Sequence, residues 1–407
     1  MKEKYYIMSG ARTAVGKYLG SLKTVPPEIH ASVVIRETLQ RGGFEASGMD
    51  AVILGQVMID AEARNVARVS ALLAGVPEEI PAYTIDLQCG SSMQAVRCAI
   101  GEIASGSADM VLAGGVKNMS RGIYYLPPSV RYEGFRLGDK TVYDSFSRGS
   151  ERVQPPALYP GLNMGLTAEN VAARYGITRQ QQDAFAFDSQ SKACRAIETG
   201  RFEEEIVPVH VETRKEAFDF CVDEFPKPDI TMEKLASMKP AFKKDGTGTV
   251  TSGNASGMND GASAVILLSE NAVKKTGRKP MAAILDHVVV GTDPAYMGLG
   301  PVSAVRTLLE RNQLTMDDID LIELNEAFAA QSLGVLTELD LLPGTKGYEK
   351  VNVNGGAIAL GHALGNSGTR ILITLMYELK KRKGHLGIAT LCIGGGQGIA
   401  MLIENME

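Results

Sequence analysis

Short apolar runs alternate with stretches of helical spacing along most of the chain. AVILGQV (51–57) and AYTIDLQ (82–88) read as strands, with a helix-like EARNVARVSALLAG between them. In the next segment Met93, Val96, Ile100 and Ile103 fall at the three- and four-residue spacing of one buried helical face, predicting a helix from about Ser91 to Ser105. This alternation predicts an α/β fold and puts Cys89 in the turn between a strand and a helix.

The pattern repeats at an offset of 270. IRETLQRGGFEASGMDAVILG (35–55) lies without gaps over VRTLLERNQLTMDDIDLIELN (305–325), pairing Arg36 with Arg306, Leu39 with Leu309, Arg41 with Arg311, Asp50 with Asp320 and Leu54 with Leu324. Each copy reads as helix, polar turn and strand. ADMVLAGG (108–115) and GIATLCIGG (387–395) echo one another as short buried strands ending in glycines. The two echoes together predict an internal duplication.

Residues 122–250 have another texture. YYLPPSVRYEGFRLGDKTVYDSFSRGSERVQPPALYPG is rich in Pro, Gly, Tyr and charge and predicts an extended excursion with little regular structure. A helix follows, broken at Gly176 and capped afresh by Thr178, and after a charged stretch GTGTVTSGNASGMNDGASAVILLS returns to strand character. The expected organisation is a first half at 1–121 and 251–277, an inserted loop domain at 122–250, and a second half at 278–407.

Composition narrows the function. With 407 residues, 44% of them apolar, the chain can bury a large core of more than one unit. Its net charge of −5 argues against a general nucleic-acid surface. Five scattered Cys support neither a disulfide framework nor a CxxC metal site, so no metal is expected and a reduced, cytoplasmic setting is. The N-terminus lacks the apolar region of a signal peptide, and no run is long enough to span a membrane.

Four places could carry chemistry. Cys89, followed by Gly90-Ser91-Ser92, sits at a helix N-terminus, where the macrodipole is expected to lower its pKa and favour thiolate; a buried structural cysteine is the alternative. His362 lies in the glycine-rich VNVNGGAIALGHALGNSG, a setting for a general base open to a ligand, though a lone histidine also serves as a hydrogen-bonded structural residue. Cys392 ends a strand before three glycines, and the strand-like IAMLI after them points to a tight hairpin rather than a dinucleotide site. Asn325 ends the repeated strand where the first copy has Gly55, which suggests either an added polar role or a cap for the next helix.

Taken together, DLQCGSS, GNASGMNDGA, NEAFAA, NGGAIALGHALGNSG and LCIGGGQG resemble the thiolases, the acetyl-CoA acyltransferases, along essentially the whole chain. The resemblance implies a duplicated α/β/α/β/α layered core with an inserted loop domain, assembled as a homotetramer, a dimer of dimers. It implies Claisen condensation of acetyl-CoA to acetoacetyl-CoA and the reverse thiolysis of 3-ketoacyl-CoA in fatty acid metabolism, with coenzyme A as a substrate and no permanently bound cofactor. Cys89 would be the acyl-accepting nucleophile, His362 its activator and Cys392 the acid/base at the substrate α-carbon. Asn325 would position a water that forms one oxyanion hole with His362, and the N–H groups of Cys89 and Gly394 would form the second. Lys227, Met238, Phe242 and Ser256 would line a coenzyme A groove, and Met164, Met297 and Phe328 the acyl end.

Three positions depart from the family pattern. Asn163 stands where acetoacetyl-CoA thiolases often have His, which opens the acyl-chain preference and suggests a roomier pocket; Ala363 replaces the usual Pro, and Asn366 a small residue. A ketoacyl synthase-like condensing enzyme would share the fold, but it lacks the second cysteine that Cys392 supplies. A non-catalytic acyl-CoA or lipid binder on the same fold would have no need of both Cys89 and His362.

Overall fold

The structure, a computed structural model, describes residues 4–58 and 62–407. Its main strands are β1 (Tyr5–Thr13), β2 (Ala51–Gly55), β3 (Ala82–Ile85), β4 (Met110–Asn118), β5 (Asn259–Leu268), β6 (Ala282–Gly291), β7 (Leu321–Leu324), β8 (Leu386–Ile393) and β9 (Gln397–Asn405). The principal helices are α1 (Pro27–Gly42), α2 (Val66–Leu73), α3 (Ser91–Ala104), α4 (Met164–Tyr175), α5 (Arg179–Glu198), α6 (Gly300–Asn312), α7 (Ala329–Glu338) and α8 (Ser367–Arg382).

The strands run in the order β7-β8-β9-β6-β1-β5-β4-β2-β3. The duplication is visible in the pairing. In the first half β3, β2 and β4 are parallel, and β5 and β1 continue antiparallel. In the second half β7 and β8 are parallel, β9 and β6 continue antiparallel, and a parallel bridge from Ile322 to Val351 stands where β3 stands in the first. The halves join where β1 pairs with β6 through Tyr5–Ile284, Tyr6–Ala283 and Ile7–Ala282.

Side-chain alternation along the strands builds the layers. Val52 and Leu54 of β2 face the outer helices α1 and α2, while Ile53 faces a central layer made of α3 and α8. Leu321 of β7 faces that central layer from the other side, and Ile322 and Leu324 face the outer α6 and α7. The result is the expected α/β/α/β/α stack, with two helices buried between the two halves of the sheet. No helix among the described residues is long and apolar enough to cross a membrane.

Between β4 and β5 the chain makes the predicted excursion. Tyr124–Tyr125 pairs with Tyr143–Asp144, the short helices Ser129–Glu133 and Ser145–Ser150 flank them, and Tyr124, Tyr132, Phe135, Leu137 and Leu158 stay exposed. α4 stops at Gly176, whose φ of 64° is left-handed, and α5 starts from a capping box between Thr178 and Gln181. Of the segment expected to return to strand, only Asn259–Leu268 does so; residues 246–258 form a loop over the second half, tied by Ser256 N–H to the Ala327 carbonyl.

Candidate active site

A sharp turn presents Cys89. After β3, Gln88 takes a left-handed backbone at φ 48°, and the chain reverses before α3 opens at Ser91. Ser91 locks this turn: its hydroxyl donates to the Gln88 carbonyl at 2.6 Å and accepts from Leu87 N–H at 2.8 Å. A non-glycine residue at positive φ stores strain, which the turn holds immediately before the sulfur. Gly55 lets the start of α3 come this close to β2, since a Cβ there would sit 2.4 Å from the Ser91 carbonyl carbon.

Cys392 lies buried on β8 opposite Gly398 of β9, and Gly394-Gly395-Gly396 make the hairpin between the strands. His362 follows the helical turn Ala357–Leu360. Its N–H donates to Asn259 Oδ1 at 2.9 Å, and Asn259 Nδ2 donates to the Gly16 carbonyl at 3.0 Å. Gly361 before it has φ 97° and packs so tightly that a Cβ would lie 2.4 Å from Asn259 Cγ. The ring Nδ1 is 2.6 Å from Ser367 Oγ, which is itself 3.0 Å from the Ala363 carbonyl. Because a hydroxyl has one proton and that carbonyl can only accept, the network assigns Nδ1–H as donor to Oγ and leaves the lone pair on Nε2. Nε2 is buried and has no partner in the protein.

Asn325 follows β7, with its N–H donating to the Thr390 carbonyl at 3.0 Å. Neither polar atom of its side chain has a partner, and both are buried. The next helix, α7, is preceded by Phe328 as N-cap, so Asn325 caps nothing and the capping alternative falls away.

One cavity of about 610 Å³ brings these elements together. Cys89, His362, Cys392, Gly394, Ser256, Met164, Met297 and Phe328 all line it. Asn325 is buried and is not among the residues that line it. Lys227, Met238 and Phe242 are outside the lining. Phe242 stands edge-on to Phe328 at 6.1 Å, Met238 accepts a long contact from Ser252 Oγ at 3.8 Å, and the Lys227 ammonium lies 5.1 Å from the Phe225 ring centre. Asn163 is also outside: its Oδ1 accepts from Leu166 N–H at 3.1 Å as the N-cap of α4. Its side chain therefore does not itself line the acyl end.

Burial dominates the electrostatics and corrects one expectation. The Cys89 thiol is pushed up to about 11, not down, because desolvation outweighs the hydrogen bonds from Gly394 N–H and from its own N–H. Cys392 is also raised, by burial and then by the neighbouring Cys89 sulfur. His362 is lowered to about 3 by burial and then by the positive charge of Arg370, so its ring is neutral. At rest the site holds two thiols and a free imidazole.

The chain matches two family models, "Thiolase, N-terminal domain" over residues 5–271 and "Thiolase, C-terminal domain" over residues 278–405. The chain belongs to the thiolase family. It is 46% identical to the acetyl-CoA acetyltransferase of Escherichia coli K12, covering 98% of this chain and 99% of that one, and 46% identical to that of Chromobacterium violaceum, covering 98% of both. Among solved structures it resembles the Bacillus anthracis acetyl-CoA acetyltransferase with a TM-score of 0.93 and 43% identity, covering 99% of each chain. It also resembles human mitochondrial 3-ketoacyl-CoA thiolase in complex with CoA, at 0.91 and 40%, covering 99% of this chain and 98% of that one.

Within this thiolase framework, three positioning residues escaped the reading of the sequence. Asn259 holds the His362 backbone and Ser367 its ring. Asn366, noted only as a departure, accepts from Ser92 Oγ through its carbonyl at 3.0 Å and from the Ser263 hydroxyl through its side chain, which ties the start of α8 to the first half. All three lie inside motifs that carried the resemblance, but a single sequence does not show which polar residue of a motif faces the ring.

Proposed function

We propose that this acyltransferase catalyses reversible thiolysis of 3-ketoacyl-CoA and condensation of acetyl-CoA through an acyl group carried on Cys89. The carrying observation is that two cysteines and a neutral histidine line one cavity, with the N–H groups of Gly394 and Cys89 directed at the Cys89 sulfur.

In the condensing direction His362 Nε2 takes the Cys89 proton as the sulfur attacks the thioester carbonyl of one acetyl-CoA, and coenzyme A leaves as its thiol on a proton from Cys392, which remains as the thiolate; the proton on His362 returns to Cys89 when the acyl group later leaves it. The oxyanion that forms sits against the N–H groups of Cys89 and Gly394. Cys392 then removes an α-proton from a second acetyl-CoA, and the enolate attacks the acyl-enzyme. With an α-proton pKa of about 20 against about 8.5 for an ordinary thiol, the gap is roughly 16 kcal/mol at about 1.36 kcal/mol per unit. A thiolate alone does not bridge it. Oriented donors must meet the developing enolate oxygen, and a water held by the unpartnered amide of Asn325, together with His362, supplies them. In the degradative direction Cys89 attacks the 3-keto carbon and Cys392 protonates the departing enolate.

Coenzyme A enters past Ser256, with Phe242 and Met238 extending the wall of Phe328 outward and Lys227 as a local cation for its phosphates in an acidic protein. Met164, Met297 and Phe328 enclose the acyl end. The excursion at 122–250, inserted between halves at 1–121 with 251–277 and at 278–407, supplies the groove and, through its exposed aromatic and aliphatic side chains, the contacts of a homotetramer that works in fatty acid metabolism in the cytoplasm. Mass spectrometry after exposure to acetyl-CoA tests the central step: the expected result is an acetyl group on the peptide carrying Cys89. An adduct confined to Cys392 would reverse the roles of the cysteines.

A further inference from the structure

Two arginines are buried in the core, and they are bonded very differently. Arg12 is saturated: Nε donates to Glu205 at 2.6 Å, and Nη1 and Nη2 donate to the two Asp223 oxygens at 2.8 and 2.9 Å. Arg370 is not. Its nearest anion is Glu323 Oε2 at 3.9 Å, beyond hydrogen-bond reach, and Nη1, Nη2 and Oε2 are all buried without a hydrogen-bond partner. An under-bonded buried pair is a poor device for stability, because apolar residues of similar volume usually serve as well or better. Its position offers another reason for it.

Arg370 lies three residues after Ser367 on α8, hence one turn deeper on the same side of the helix. Ser367 is the residue that holds the His362 ring. Glu323 lies on β7, on the face that Leu321 turns toward α8, and Asn325 follows two residues later, directly after the strand ends. The Asn325 side chain has no partner of its own, so its location is inherited from β7. We propose that the Arg370–Glu323 pair is a positioning brace: it fixes α8 against β7 and thereby sets the separation of His362 from Asn325, the two side chains of one oxyanion hole. The charges around it are Glu205, Glu326 and Glu378 on the Glu323 side, and Arg12, Glu205 and Asp223 on the Arg370 side. Burial first, and then the positive charge of Arg370, lower the pKa of His362.

The inference rests on the site reading above. Its test is the double variant Arg370→Met with Glu323→Leu, which removes both charges together and leaves neither stranded, compared with the wild type in four measurements: Tm, KM for acetoacetyl-CoA, kcat, and acetylation of Cys89. The expected result is a Tm equal to or above that of the wild type, KM within about twofold, an undiminished acetyl adduct, and kcat at least tenfold lower, since the hole is used at the enolate step. A kcat within twofold of wild type in a folded variant would overturn the brace. So would a fall in kcat that tracks a lowered Tm or a raised KM, which would make the pair structural. Should the double variant fail to fold, Arg370→Gln with Glu323→Gln, which likewise removes both charges together, carries the same comparison with the same two outcomes. Failure of the underlying site reading shows separately, as absence of the adduct from wild-type Cys89.

Discussion

The hydroxyl of Ser367 lies 2.6 Å from Nδ1 of His362 and 3.0 Å from the Ala363 carbonyl, so a single side chain decides which ring nitrogen is free to act as base. Ser367→Ala removes the acceptor that selects this tautomer and leaves Nδ1 unpartnered in a buried site. Turnover should fall by about 10- to 100-fold, less than the roughly 10²–10⁴ carried by a general base itself. Steady-state thiolysis of acetoacetyl-CoA measures this, and an unchanged kcat would show that the ring is held by packing alone.

The two cysteines should separate by step. Cys89→Ala abolishes acyl transfer while the fold survives, because it deletes only the covalent step. Cys392→Ser should still accept an acetyl group on Cys89 and then fail to turn over. Mass spectrometry and turnover on the same samples give the comparison; a Cys392→Ser protein that cannot be acetylated would place Cys392 before the first step.

The buried groups also set a pH profile. His362 must be neutral to accept the Cys89 proton, and with its pKa lowered to about 3 it becomes cationic only far below neutrality. Cys89, raised to about 11, stays protonated until well above it. The acetylation rate of the free enzyme should therefore be flat between about pH 5 and 9, with no limb near the ordinary histidine value of about 6.5. Stopped-flow acetylation at constant ionic strength reads the limbs directly, and a limb near 6.5 would mean that water reaches the ring.

Lys227 tests the groove. Lys227→Glu should raise KM for coenzyme A substrates with little change in kcat, as expected for binding remote from chemistry. The effect should shrink with added salt, over a screening length of roughly 8–10 Å. A KM unchanged at low salt would remove Lys227 from the coenzyme A path.

Asn163 should behave as a cap. Asn163→Ala is expected to cost about 0.5–2 kcal/mol through the loss of its bond to Leu166 N–H. The ratio of kcat/KM between four- and six-carbon 3-ketoacyl-CoAs should stay the same. Denaturant unfolding measures the first, and a shifted ratio would show that α4 transmits the change to Met164.

How far the sequence revealed the molecule depended on the kind of signal. The repeat at 35–55 and 305–325 marked α1 with α6 and β2 with β7 because apolar spacing is local and survives duplication. Cys89, His362 and Cys392 stood out through glycines that a ligand site and tight packing require. The thiol pKa was misjudged because helix position is visible in sequence and desolvation is not. The partners Asn259 and Arg370 were illegible for a related reason: each acts on a group that only tertiary contact brings near, while Ser367 is close to His362 in the chain but one of several polar residues there.

Strand β1 bonds to β5 of its own half on one edge and to β6 of the other half on the second. The first strand of the chain is therefore also the seam for a sheet whose strands begin more than 270 residues later. A nascent chain holds that edge open until β6 has been made, and the loop it must close is about two thirds of the protein. The proposed nucleophile, Cys89, belongs to the first half and the proposed base, His362, to the second. Either half alone would hold only one of the two, so the proposed chemistry depends on the seam that joins them.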